Sequence, residues 1–495
     1  MSDFDYDLVL RGGTLASAAE VFEADLGIRD GVIAAIGRGL RRGREEIDAR
    51  GRIITPGGLD SHCHIEELGQ DGTAQEESFA SGSAAALAGG TTSFICFLPQ
   101  WKGHSLAASA PGYAERARRS RADYSFHQII TDPTPEVLER EVPALVARGI
   151  RSLKVFLTYD PLRLTDGEFL QVLATARRLG AMVTVHCENF DAIGWRIQAL
   201  LKAGLTDPLQ HAWSRPPVVE REATHRAIAL AELADQPIQV FHVSCEEAAA
   251  EIAAARARGV KVWGETCPQY VTLSHDDLRA PDFAGAKAVC SPALRDRAEH
   301  ARIWRRIQDG TLDVVTSDHC GFSFATAKKA AGSSAYGTGA AVQRPDGTPA
   351  FNAIPNGVPG IETRMPVLFS EGVSKGRIDL PTFVRLSSAN AAKLFGLAGR
   401  KGTLAPGADA DLVLWDPDRE TTITQSRLHH AIDYTPWEGM AIKGWPALTI
   451  RRGEVAMREG EVLAAPGSGR FLPRGPYALA APSGRVPDGF DAAAV

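Results

Sequence analysis

Short apolar runs bounded by glycine and turn residues recur along the middle of the chain. They fall at Leu59–His64, Thr92–Phe97, Tyr124–Ile130, Ser152–Phe156, Met182–His186, Ile238–His242, Lys261–Glu265 and Asp313–Thr316. Between them the apolar spacing changes to a helical period, as over Pro135–Ala147, Gly167–Arg178, Val219–Ala234 and Glu246–Ala257. Near-continuous apolar strands alternating with amphipathic helices predict a parallel sheet covered on both faces. Eight such units in about 330 residues predict a closed (β/α)8 TIM barrel, an α/β fold, over 57–399. The flanks differ. Tyr6–Arg11, Ala24–Ile28 and Val32–Ile36 at one end, and Asp411–Trp415 and Ala447–Val455 at the other, are β-like pieces separated by glycine turns. The shared texture predicts a small β-sandwich domain made from 1–56 together with 400–464. The stretch 321–353 has little periodicity and is expected to form a long loop over the barrel mouth. Residues 465–495, rich in Pro, Gly and Ala, are expected to form an extended tail.

Bulk properties change this picture little. Of 495 residues, 44% are hydrophobic and 23% charged, an ordinary globular balance. A formal net charge of −6 gives no pull toward nucleic acid or an anionic membrane. The basic runs Arg41–Arg44 and Arg116–Arg121 read as solvated surface. Asp3, Asp5 and Asp7 interrupt the start where a secretory leader would be apolar, and no stretch reaches membrane-span length. The seven cysteines are scattered, without a CxxC pair. That argues against a disulfide framework and a thiolate zinc site, and makes a reducing cytoplasm the expected compartment.

The candidate chemistry lies at the C-terminal ends of the expected strands. His62 and His64 close the first, Lys154 lies in the fourth, His186 closes the fifth, His242 closes the sixth, and Asp318 follows the eighth. In a parallel barrel these ends converge on one mouth. Residues at i and i+2 of a strand share a face, so both imidazoles of His62 and His64 can reach one ion. Singly, each residue has a structural role to fall back on: a packed histidine, a snorkelling lysine, a capping aspartate. Together they form a ligand set of the kind that holds zinc and similar ions. An ammonium beside cations would be repelled, so Lys154 belongs in the set as a carbamate (N6-carboxylysine), which is anionic and can bridge two metals. Cys63, Cys187 and Cys320 alternate with these residues and read as small packing groups off the metal face.

The segments Pro56-Gly-Gly-Leu-Asp-Ser-His-Cys-His64, Leu153-Lys-Val-Phe156 with Tyr159, Val185-His-Cys-Glu-Asn189, His242-Val-Ser244, Glu265-Thr-Cys-Pro-Gln-Tyr270, Ser317-Asp-His-Cys320 and the run that opens Ile354-Pro-Asn-Gly stand out together. Through them the chain resembles the dihydropyrimidinase (hydantoinase) group of the amidohydrolase superfamily. The resemblance implies two divalent ions, Zn2+ with Mn2+ or Co2+ as alternatives. His62, His64 and Asp318 would hold one, His186 and His242 the other, and carbamylated Lys154 would bridge them. Tyr159 would stabilise an oxyanion, while Ser291 and Asn356 would hold the ring amide of the substrate. A hydroxide held between the ions would open the cyclic amide of a hydantoin or dihydropyrimidine to an N-carbamoyl amino acid, with Asp318 as base. A homo-oligomer, tetramer or dimer, is implied, with the tail in its contacts, and neither nucleic acid nor membrane as a partner.

One segment departs from the family. After the second histidine the chain reads His64-Ile-Glu-Glu-Leu-Gly-Gln-Asp-Gly72, where many hydantoinases carry an apolar Met-Pro-Phe stretch, and the segment after Cys320 is longer than usual. Other ring substrates, those of an allantoinase, a dihydroorotase or a cyclic imide hydrolase, would use the same chemistry. A non-catalytic scaffold of the collapsin response mediator kind would have lost ligands that are all present here.

Overall fold

The computed structural model describes residues 4–67, 75–330 and 342–493. Eight parallel strands form one sheet: Gly58–Asp60, Thr91–Leu98, Asp123–Ile129, Ser152–Phe156, Met182–His186, Ile238–Val240, Val262–Thr266 and Leu312–Val315. Each pairs in parallel with the next along the chain. The seam between last and first is closed beyond the strands proper. His319 and Cys320 pair with Cys63 and His64, and the Asp318 amide donates to the His62 carbonyl at 3.0 Å. The barrel of the expected fold class is therefore present, and every residue of Thr91–Leu98, Ser152–Phe156 and Met182–His186 is buried, as strands covered on both faces must be.

The surrounding helices follow local chemistry. In Asp166–Leu179 the Thr165 hydroxyl and the Glu168 carboxylate cap each other's amides, and Gly180 ends the helix in the left-handed conformation at φ 60°. Phe169, Val172, Leu173 and Ala176 form its buried stripe. Pro217–Leu233 and Glu246–Ala257 lie where the periodicity puts them. The helix expected over Pro135–Ala147 begins with a wide π-type turn, Val137–Glu141, before α geometry at Val142–Ala147.

Two strands are shorter than their apolar runs. The first breaks at Ser61 because the buried Asp60 carboxylate takes the amides of His62 (3.3 Å) and Ser317 (3.2 Å), which removes them from the ladder. The sixth ends at Val240 because His242 turns to φ 41°.

Both flanks build one mixed sheet of nine strands. Ile53–Pro56 joins them, lying antiparallel to Leu412–Trp415. Leu412 and Leu414 face the core of this sheet with Leu10, Leu26, Ile54 and Ile450. Val413 and Trp415, on the other face, join the barrel core.

The tail is extended, and it lies against its own barrel. It passes the N-terminal ends of the strands: Tyr124 exchanges backbone bonds with Arg470 and Leu472, and the Arg474 amide donates to Gly149. Farther on, Lys261 donates to the Ala481 carbonyl at 2.8 Å and Arg177 pairs with Asp491 at 2.6 Å. Of the long 321–353 segment, Phe324–Lys328 forms one helical turn, while 331–341 lies outside the described residues. Within Arg116–Arg121, Arg116 and Arg119 pair with the buried Glu66 carboxylate, so this run is not simply solvated surface.

Candidate metal centre

The strand ends bring the six ligand candidates together. One cavity at the barrel mouth is lined by His62, His64, Lys154, His186, His242 and Asp318, and also by Tyr159, Ser291 and Asn356. Three of these residues hold left-handed backbones that L side chains rarely adopt: Tyr159 (φ 68°), His242 (φ 41°) and Asp318 (φ 46°). Strain of this kind persists where surrounding structure fixes a functional geometry.

His62 Nε2 lies 3.1 Å from Asp318 Oδ1, and His64 Nε2 lies 3.5 Å from the same oxygen. The three donor atoms fall within 4.8 Å of one another. The opposite ring nitrogens are taken: His62 Nδ1 meets Glu265 at 2.6 Å and His64 Nδ1 meets Glu67 at 2.7 Å. A carboxylate on Nδ1 fixes the ring and leaves Nε2 for an ion. Burial would push the Asp318 carboxyl up, but His62 and His64 beside it hold it well below the usual carboxylate range. Burial also works against charge on His64, and is overcome by Glu67 and Asp318, which raise it to about 9. The centre thus favours positive charge.

Across the cavity, His186 Nε2 meets Glu188 at 2.8 Å, and Glu188 accepts a 2.7 Å bond from the buried Arg215. That leaves His186 Nδ1 as the free donor. The His242 ring lies 4.3 Å from that of His186, and its Nδ1 is buried with no hydrogen-bond partner among the described residues. Burial lowers His186 to about 4 and His242 well below its ordinary value, so both are neutral, the form that binds metal.

Lys154 Nζ is fully buried and, among the described residues, also has no hydrogen-bond partner. It sits 4.2 Å from the centre of the Phe241 ring and 4.8 Å from that of Phe156. Burial lowers it to about 8, which leaves a reactive neutral fraction near neutral pH. The donor set fits divalent ions: imidazoles and a carboxylate are aimed at one point, beside a buried amine whose Nζ makes no hydrogen bond among the described residues.

Tyr159 receives a 3.3 Å bond from the Asn356 amide, and burial pushes its phenol up to about 12, so it stays a proton donor. Ser291 follows Cys290, whose carbonyl accepts from His211 at 2.8 Å. Lys328 is buried and donates to the carbonyls of Val289 (3.1 Å) and Pro355 (2.9 Å), which ties together the segments carrying Ser291 and Asn356.

Similarity to known proteins agrees with this geometry. Residues 53–456 match the Amidohydrolase family model. The chain is 41% identical to a D-hydantoinase of Ralstonia pickettii, over 95% of this chain and 99% of that one. It is 43% identical to a D-hydantoinase of Geobacillus stearothermophilus, over 95% and 97%. The chain belongs to the D-hydantoinase/dihydropyrimidinase family of amidohydrolases. Among solved members, the dihydropyrimidinase of Brevibacillus agri superposes with a TM-score of 0.89 at 41% identity, covering 95% of this chain and 99% of that one. The L-hydantoinase of Arthrobacter aurescens gives 0.82 at 27%, covering 95% and 100%.

Against that family background, two features correct the reading of the sequence. Cys63 is turned away, its sulfur 3.5 Å from that of Cys96, but Cys320 lines the cavity. Strand alternation misplaces it because the chain leaves the eighth strand and re-pairs, setting Cys320 in register with His64. The acidic partners Glu67, Glu188 and Glu265, with Arg215 and Lys328, were not singled out in the sequence. Glu67 and Glu188 follow a ligand by three and two residues, which is a usable signal. Glu265 lies 203 residues from His62, and the family-matching segment it opens marks the position but not the partner. The family-atypical loop after His64 is described through Glu67, and 68–74 lie outside the described residues.

Proposed function

We propose that the chain hydrolyses the ring amide of 5-substituted hydantoins and of dihydropyrimidines to N-carbamoyl amino acids. The observation that carries this reading is the convergence of six ligand-type side chains with Tyr159, Ser291 and Asn356 on one cavity. The D-hydantoinases at 41% and 43% identity support a D-enantiomer preference. Among the described residues lining the cavity there is no arginine to anchor an anionic ring such as dihydroorotate, which favours neutral rings.

His62, His64 and Asp318 would hold one divalent ion and His186 with His242 a second, with Lys154 as a carbamate between them; zinc suits this donor set. When bound, the ions supply an acidified water as nucleophile and polarise the carbonyl. Asp318 accepts the proton of the attacking water and returns it to the ring nitrogen as the C–N bond breaks. The Tyr159 hydroxyl donates to the carbonyl oxygen as negative charge builds there. Ser291 and Asn356 hold the ring amide, with Lys328 bracing their segments. A reducing cytoplasm suits the seven free, buried cysteines. A homotetramer or dimer is the proposed assembly, supported by exposed Trp195, Trp213 and Val218; sedimentation at the mass of one chain would remove it.

The test is turnover by zinc-loaded protein of D- and L-5-substituted hydantoins, dihydrouracil, allantoin and succinimide. Hydantoins and dihydrouracil are expected to turn over, the D series faster. Turnover of allantoin or succinimide alone would replace the proposed ring class.

A further inference from the structure

The mouth of the barrel holds the ligands, but a line of hydrogen bonds runs from it to the opposite end. His127, in the third strand, is fully buried inside the barrel. Its Nε2 lies 2.9 Å from the Ser61 carbonyl and its Nδ1 lies 2.6 Å from the Ser152 hydroxyl. The same hydroxyl receives Arg474 Nη1 at 2.8 Å. A carbonyl can only accept, so Nε2 carries the imidazole proton and Nδ1 must accept. Ser152 therefore donates to His127 and accepts from Arg474, and every bond in the line has one direction.

Both ends of the line matter. Ser61 immediately precedes His62, and Ser152 lies two residues before Lys154 on the same strand face. Arg474 comes from the C-terminal tail, is 2% exposed, and also donates to the Phe126 carbonyl. The Phe97 and Phe395 rings enclose His127 at 5.1 and 4.8 Å, which leaves it little freedom to turn.

We propose that Arg474 is a positioning residue for the metal centre, acting through Ser152 and His127 on the backbone that presents His62 and on the strand that presents Lys154. The inference rests on the metal-centre reading above. The tail is then a component of the active site's scaffold, reaching it from the far end of the barrel. Each bond from the Ser61 carbonyl to Arg474 Nη1 is made, while Arg474 Nε is buried with no partner among the described residues; removing one member of such a buried line disturbs the geometry of the rest.

The test is zinc affinity, measured with Zn2+ alone against a competing chelator, alongside thermal stability and the 15N spectrum of His127. Arg474→Met and Ser152→Ala are each expected to weaken zinc retention about tenfold, the low end for outer-shell partners of metal ligands, and to mix the His127 tautomers. Arg474→Lys keeps a donor and should recover part of the loss. Arg485→Ala, on the same tail but off the line, should bind zinc as the parent does. Ser152→Ala serves if Arg474→Met does not fold, since it removes one hydroxyl. Parent-like zinc affinity in Ser152→Ala, or an equal loss in Arg485→Ala, overturns the inference and leaves the metal-centre reading intact. A parent protein that takes up no zinc overturns that reading, and this inference with it.

Discussion

On one side of the centre, His62 and His64 point at Asp318 across 3.1 and 3.5 Å, and each is steadied from behind by a carboxylate. On the other, His242 Nδ1 and Lys154 Nζ are buried without hydrogen-bond partners among the described residues, and His186 has an acidic support, Glu188. The first side is electrostatically complete in its own side chains. The second is not, because an amine beside two neutral imidazoles offers an ion no negative charge. The two sides are therefore unequal: one already has a carboxylate among its own donors, and the other would need the proposed carbamate on Lys154 to match it.

Removing Asp318, the proposed base, should do most to break this contrast. Asp318→Ala is expected to lower kcat by roughly 10^4-fold, the upper range for a general base, and to weaken zinc on its own side; turnover close to the parent's would exclude it as the base. Next, Lys154→Ala should keep one zinc per chain, lose the second, and lower kcat by at least about a hundredfold. Two tightly held ions with ordinary turnover in that variant would mean that the lysine bridges nothing. The smallest effect sharpens the comparison. Glu265→Gln should weaken the first zinc about 10- to 100-fold, and Glu188→Gln the second by a similar factor. Stepwise metal titration separates them; if either substitution weakens both ions equally, the sites are not independent.

Much of this was legible in the sequence because parallel barrel strands are buried on both faces and leave apolar runs that end in polar residues. Leu59–His64, Ser152–Phe156 and Met182–His186 announce both a strand and a candidate ligand in this way. The exact strand ends were less legible, since the break at Ser61 depends on where the Asp60 carboxylate finds amides, one of them on Ser317. The same limit misled the reading of Cys320, whose face is set by pairing with His64 rather than by alternation. The contacts of Glu265 and Arg474 are not legible because their partners are remote in sequence: Glu265 is marked only by the family-matching segment it opens, and nothing near Arg474 distinguishes it from the other arginines of a Pro-, Gly- and Ala-rich tail. What periodicity reports is burial; which distant polar atoms meet inside is decided by the closed fold.

The nine-strand sheet also has a consequence for the order of events at the ribosome. Ile53–Pro56 needs Leu412–Trp415 beside it, and Trp415 donates its indole N–H to Thr55, 360 residues earlier. At the usual pace of synthesis that separation is a delay of roughly 20 to 70 s. Throughout it the N-terminal strands present an unpaired apolar edge, of the kind that recruits other chains. Chaperone dependence during expression should therefore track the speed of translation, and slowing the ribosome within the barrel-coding stretch would lengthen the period in which the first fifty residues are exposed to aggregation.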